Sequence, residues 1–209
     1  MKKYPPLLIV AALAVTISCK NDKKMDGQTV KNDGTEQAAP AENEEVKTEG
    51  EVKTASMAGL KTLSFNLAPK SGSTASGTVN FTENNGKVTL SANVRGLKPG
   101  THAIHIHESA DCAAADGKSA GGHWNPTFSK HGKWGSAAGY HKGDIGNFET
   151  DAAGQGNVSM TTSAWCIGCE DPKKNIVGKS VIVHEGTDDF TSQPSGAAGA
   201  RVSCGGIIQ

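Results

Sequence analysis

The histidines of this 209-residue chain all fall between positions 102 and 184: His102, His105, His107, His123, His131, His141 and His184. Alternate residues of a strand project to one face, so His105 and His107 in the string HAIHIHE offer two imidazoles to one metal ion. Imidazole suits zinc and copper. Taken alone, His-x-His also fits a solvated strand face. The next segment is more specific: His123, His131 and His141 share one long stretch without strand character, and Asp144 follows closely. Three imidazoles and a carboxylate make the closed tetrahedral set that zinc prefers. His184 ends the apolar run Val181-Ile182-Val183 as His107 ends its own strand, and each is followed by Glu. Two such strands can bring their histidines to one edge of a sandwich. That would give two sites, one rich in imidazole and one closed by Asp144.

The elements that must hold these groups read as strands. Leu60 to Leu67 alternates apolar and polar residues, the pattern of a half-buried strand. Similar runs occur at Gly77 to Thr82, Lys87 to Val94, Thr101 to His107, Asp144 to Thr150, Gln155 to Thr161, Ser180 to Val183 and Ala200 to Ile208. Asn85-Gly86 predicts a hairpin turn, and 26 glycines with no long helical period support an all-β chain. Two stretches lack alternation, Glu108 to Lys142 and Glu185 to Gly199. Loops of that length are usually functional. Trp124, Phe128, Trp134 and Tyr140 are expected to pack the first of them. The net charge is zero and no Lys/Arg cluster stands free of acids, which argues against a nucleic-acid partner.

The ordered strings HIHE, GGHWNP, KHG, YHKGDIGN, VIVHEG and GARVSCG make the region from about residue 59 to 209 similar to the copper,zinc superoxide dismutase family. The resemblance implies an eight-stranded Greek-key β-sandwich or flattened barrel with two long functional loops. It implies one copper and one zinc ion per chain, copper on His105, His107, His123 and His184, and zinc on His123, His131, His141 and Asp144. His123 would be shared by both. His102 would stand behind the copper ligands, and Asp188 would link a copper-bound and a zinc-bound histidine from outside, with Asp189 solvated. Arg201 corresponds to the arginine that attracts and orients superoxide, acting with His123, and Cys112 and Cys204 correspond to a disulfide. The implied reaction is dismutation of superoxide to oxygen and hydrogen peroxide. Three departures stand out: the 186–199 loop contains no Lys, and Ala110 and Ala197 replace residues that are usually glycine or small and polar.

At the N-terminus, Lys2-Lys3, an apolar run from Leu7 to Ile17 and then Ser18-Cys19 resemble a bacterial lipoprotein signal, although Thr16 replaces the usual aliphatic residue. Residues 1–18 are expected to be that signal, 19–57 a lipidated, disordered, charged tether, and 58–209 the folded domain. A plain signal peptide or membrane helix is the competing reading of the first segment, and a short charged helix that of the second. The resulting expectation is a protein of the bacterial cell envelope, periplasmic or on the outer membrane, lipid-anchored through Cys19, protecting the envelope from oxidants. Monomer and homodimer both fit. Export makes disulfides expected for the other four cysteines. Cys166 and Cys169 form a C-x-x-C that reads as a local disulfide, a redox dithiol or an accessory copper site. The main functional alternative is a non-enzymatic envelope protein that binds or carries copper and zinc on the same fold.

Overall fold

A computed structural model describes residues 59–209. The signal, the Cys19 anchor and the whole of the tether lie outside the described residues. Eight strands follow one another: β1 (Lys61–Pro69), β2 (Ser76–Asn84), β3 (Lys87–Arg95), β4 (Gly100–His107), β5 (Gly146–Thr150), β6 (Gly156–Thr162), β7 (Ser180–His184) and β8 (Arg201–Gly206). They close into an antiparallel barrel in the order β1-β2-β3-β6-β5-β4-β7-β8. The chain passes from β3 across the end of the barrel to β4, then returns through β5 and β6 to pair β6 with β3, which is the Greek-key crossing the family resemblance implies. Asn85 and Gly86 both have positive φ, as a two-residue hairpin loop demands.

Strand alternation divides each strand between the core and the loops. In β4, Ile104 and Ile106 point into an apolar core with Val79, Phe81, Val88, Leu90, Val181 and Val183. Burying each such side chain contributes ~1.5–3 kcal/mol. His105 and His107 therefore point the other way, yet both are buried, because the two long loops cover that face. The β4–β7 register sets His105 opposite Ile182 and His107 opposite Ser180.

Beyond Ile104, where β5 stops pairing, the long loop takes over the flank of β4. Ile106 N–H donates to Gly143 O (2.9 Å), Gly143 N–H to Trp124 O (3.0 Å) and Trp124 N–H to Ile106 O (2.8 Å). A Cβ at Gly143 would lie 2.1 Å from Ile106 O, so only glycine permits this approach. The contact draws both ends of the loop, at Trp124 and Gly143, onto the strand that carries His105 and His107.

Both predicted loops are present, and the described residues contain a single helical element, the short 3-10 turn Lys118–Ala120. Trp124 is buried, and Trp134 packs at a tilt against Tyr140 and edge-on against Trp165. Phe128 does not pack; it is 93% exposed. Asn125 bonds both backbone groups of Ser129, closing a turn in which Phe128 takes φ 54° and is thrown outward. Two disulfides are formed, Cys112–Cys204 and the local Cys166–Cys169.

Candidate metal centre

The seven predicted ligands converge in two buried sets. His105, His107, His123 and His184 form the first; His123, His131, His141 and Asp144 form the second. In each set the donor atoms lie within 4.8 Å of one another. His107 and His123 are also backbone partners in an isolated antiparallel bridge, which is how a loop histidine reaches a strand face.

Hydrogen bonds to the far side of each ring decide which nitrogen faces inward. In the four-imidazole set, His107 Nδ1 donates to Gly121 O (3.0 Å) and His184 Nδ1 to Gly199 O (3.4 Å). A neutral imidazole that donates at Nδ1 carries a lone pair at Nε2. The two Nε2 atoms nonetheless face each other at 3.4 Å. His105 donates from Nε2 to Asp188 Oδ2 (2.8 Å), leaving its Nδ1 buried without a partner, and His123 Nε2 is equally orphaned. Four inward lone pairs that have only one another for company fit a cation.

The carboxylate-bearing set shows the same signature. His131 Nε2 donates to Asp188 Oδ1 (2.8 Å) and His141 Nε2 to Ser129 O (3.1 Å). Their Nδ1 atoms stand 3.0 and 3.2 Å from Asp144 without making a hydrogen bond, and His123 Nδ1 is 2.9 Å away. A tetrahedron with arms of ~2.0 Å has edges of about 3.3 Å, so these separations suit a shared zinc ion. Asp144 also accepts the His141 N–H (2.7 Å) and the Gly132 N–H (3.2 Å), which fixes its carboxylate.

Burial lowers the basicity of His107 and His184 far below that of a free imidazole, aided by neighbouring imidazoles and Arg201. Burial likewise brings His123 down to about 4 and lowers His105, against the upward pull of Asp144 and Asp188 respectively. His131 behaves oppositely. Burial acts downward there too, but the two carboxylates that face its ring, Asp144 and Asp188, outweigh it and raise its pKa to about 9. Burial pushes both aspartates up, yet their histidine partners hold them well below the carboxylate range.

The structure places the other predicted residues around the two sets. Asp188 joins His105 to His131 from outside. Both ring nitrogens of His102 face carbonyl oxygens, those of His184 (3.0 Å) and Lys98 (2.8 Å), so it braces the strand end rather than facing a donor set. Asp189 is exposed, and bonds from Ser192 and Thr191 lower its pKa to about 2. In β8 a register shift sets Arg201 opposite His184, and a bulge of this kind re-aims a side chain. The Arg201 guanidinium donates to Gly117 O (2.8 Å) and Gly121 O (2.7 Å), the latter shared with His107. Arg201 and His123 line a cleft of about 430 Å³ that opens above the four-imidazole set. A hollow of about 510 Å³ beside Lys98 and His102 is lined by no member of either set.

Sequence reasoning missed Asn147, whose amide bonds both backbone groups of Asp188 (2.8 and 2.9 Å), and Gln193, which does the same for His131. It also missed Gly196, where a Cβ would strike Asp188 Oδ1 and His131 Nε2. Residue type alone carries no signal for these roles.

The profile of the copper/zinc superoxide dismutase family matches residues 75–207, and the chain belongs to that family. It is 37% identical over 136 residues to "Superoxide dismutase [Cu-Zn] 2" of Aquifex aeolicus, covering 63% of this chain and 78% of that one. It is 36% identical over 137 residues to an extracellular superoxide dismutase [Cu-Zn] of Caenorhabditis elegans, covering 63% of this chain and 60% of the relative. A crystal structure of a double mutant of a SOD-like protein from Bacillus subtilis is 32% identical with a TM-score of 0.63, covering 70% of this chain and 97% of that chain. The match spans less than two thirds of the nematode relative's length.

Proposed function

We propose that this chain dismutates superoxide, with copper on His105, His107, His123 and His184 and zinc on His123, His131, His141 and Asp144. The observation that carries the reading is the paired set of buried, inward-facing nitrogens, joined through the two ends of one imidazole, His123. When bound, copper supplies a centre that accepts and returns one electron, and zinc supplies a fixed positive charge.

The residues of the chain do the rest. Arg201, held by two carbonyls at the cleft wall, draws in and orients a small anion. Two superoxide anions and two protons give one oxygen and one hydrogen peroxide. His123 Nε2 faces the four-imidazole set while Nδ1 stays beside Asp144, so Nε2 is the atom placed to hold a proton for the peroxide. Asp188 keeps His105 and His131 in fixed tautomers, which orients their inward nitrogens.

An extracytoplasmic location is supported by two disulfides and by the extracellular relative. Anchoring through Cys19 on the envelope of a bacterium, with protection of that envelope from oxidants, extends the same reading. A second reading, metal carriage without catalysis, is raised by the SOD-like relative from Bacillus subtilis. The fixed guanidinium beside His107 and His184 favours the enzyme, because a carrier has no need of an oriented anion. Metal analysis of the full chain with an assay of superoxide loss decides between them. One copper and one zinc with rapid dismutation is expected; both metals without dismutation would establish the carrier.

A further inference from the structure

The ring of His131 is gripped by Asp144 and Asp188, but its position also depends on where its backbone lies. His131 N–H donates to Gln193 Oε1 at 2.9 Å, and Gln193 Nε2 donates to His131 O at 3.0 Å. A primary amide meeting a peptide group in this way reproduces the doubly bonded pair of an antiparallel ladder. Gln193 Nε2 also donates to Thr191 O at 3.2 Å. The reverse orientation of the amide would set its oxygen against two carbonyls. The same device appears at the base of that loop, where the Asn147 amide pairs with the Asp188 backbone. One amide thus pins the 185–200 segment to β5, and another from within the segment reaches out to hold a ligand. Gln193, Pro194 and Ser195 also form part of the cleft wall.

We infer that Gln193 is a positioning residue for the zinc side: its amide sets the His131 backbone, and so His131 Nδ1, against Asp144, and joins that ligand to the wall of the substrate cleft. The inference rests on the zinc reading of His123, His131, His141 and Asp144. A carboxylate at position 193 could take the His131 N–H but would face the His131 carbonyl. It would also add negative charge at the mouth of a cleft meant for an anion, close to Asp189. Glutamine answers both demands without charge.

The full chain, stripped of metal, is titrated with zinc against a chromogenic chelator, and separately with cobalt(II), whose visible absorption reports a tetrahedral site. Gln193→Met keeps the length but loses both bonds to His131 and the one to Thr191 O. Its zinc dissociation constant is expected to rise about tenfold, the low end of the range for residues that orient ligands, because Gln193 is exposed. The cobalt bands are expected to shift, with copper(II) affinity nearly unchanged. Gln193→Glu, retaining only the acceptor, falls between Gln193→Met and the parent. An unchanged zinc constant and cobalt spectrum in Gln193→Met overturns the inference. Equal losses of zinc and copper also overturn it, since they indicate general loosening. A parent chain that binds no zinc sinks the zinc reading itself.

Discussion

The two halves of the centre are built from different material. On the four-imidazole side, His105, His107 and His184 belong to β4 and β7, and the antiparallel ladder between those strands sets their separation. On the carboxylate side, His131, His141 and Asp144 lie in a loop with no ladder of its own. Their order comes from Asp144, which reaches three histidines, from Asp188, and from backbone contacts at Gly143 and Gln193. Strand-held ligands are preorganised by the barrel core. Loop-held ligands depend on one another and on whatever cation stands among them. Each side therefore has its own way to fail.

His123 belongs to both halves, so His123→Ala erases the comparison and has the largest effect. Metal analysis is expected to show weakened binding of both ions, with superoxide loss reduced more than ~100-fold, beyond what supporting residues cost. Asp144→Asn breaks only the loop-held half. In the metal-free chain it leaves the His131 imidazolium without one of its two carboxylates. Urea unfolding should show a loss of ~3–5 kcal/mol, with copper binding at the strand-held set largely retained.

Acid sharpens the contrast in the metal-free chain. His123 drops from 6.5 to about 4 on folding. At about 1.4 kcal/mol per tenfold this costs about 3 kcal/mol below pH 4. The unfolded chain binds more protons between pH 6.5 and 4, so stability falls as pH falls through that window. His131 has the opposite sign: raised to about 9, it contributes stability below pH 6.5 that is lost as pH rises to about 9. Urea midpoints at pH 5, 7 and 9 should pass through a maximum near neutrality. A monotonic trend would remove the distinction between the two rings.

Arg201→Lys tests the strand-held side more gently. One ammonium cannot bridge the Gly117 and Gly121 carbonyls as the guanidinium fork does. The rate of superoxide loss is expected to fall about tenfold with metal content unchanged. The smallest effect is Trp165→Phe on the loop-held side. It removes the indole N–H bond to Lys142 O (2.9 Å) while keeping an aromatic ring against Trp134 and Phe81. Thermal unfolding should report a loss of ~1–2 kcal/mol.

Much of this was legible in the residues. All eight strands lie where alternation places them, because period two is enforced by a barrel with a single apolar interior. The limits shift where function intervenes: Asp144 reads as the start of β5, yet the strand begins at Gly146. The Asp144 N–H bonds the His141 carbonyl and holds the backbone in a turn instead. The two candidate ligand sets were legible because histidine is uncommon and its spacing brings the rings to shared faces. Phe128 was misread as packing, since nothing in residue type announces a left-handed turn at that position. Gln193 and Asn147 act by pairing ordinary amides with backbone from distant parts of the chain, which leaves no pattern along the sequence. Cys166 and Cys169 had three readings, and the structure makes them a local disulfide.

The barrel closes where β1 meets β8 through only two residue pairs, Ala68 with Cys204 and Pro69 with Ser203, whereas β2 and β3 share nine. Cys204, which anchors the metal loop through Cys112, stands in that narrow seam. Parting it would uncover two strands with unpaired backbone groups, a template for pairing with a second chain. The disulfide that steadies the segment around Arg201 is thus rooted in the seam itself. The narrowest seam of the barrel and the segment around Arg201 share one covalent bond.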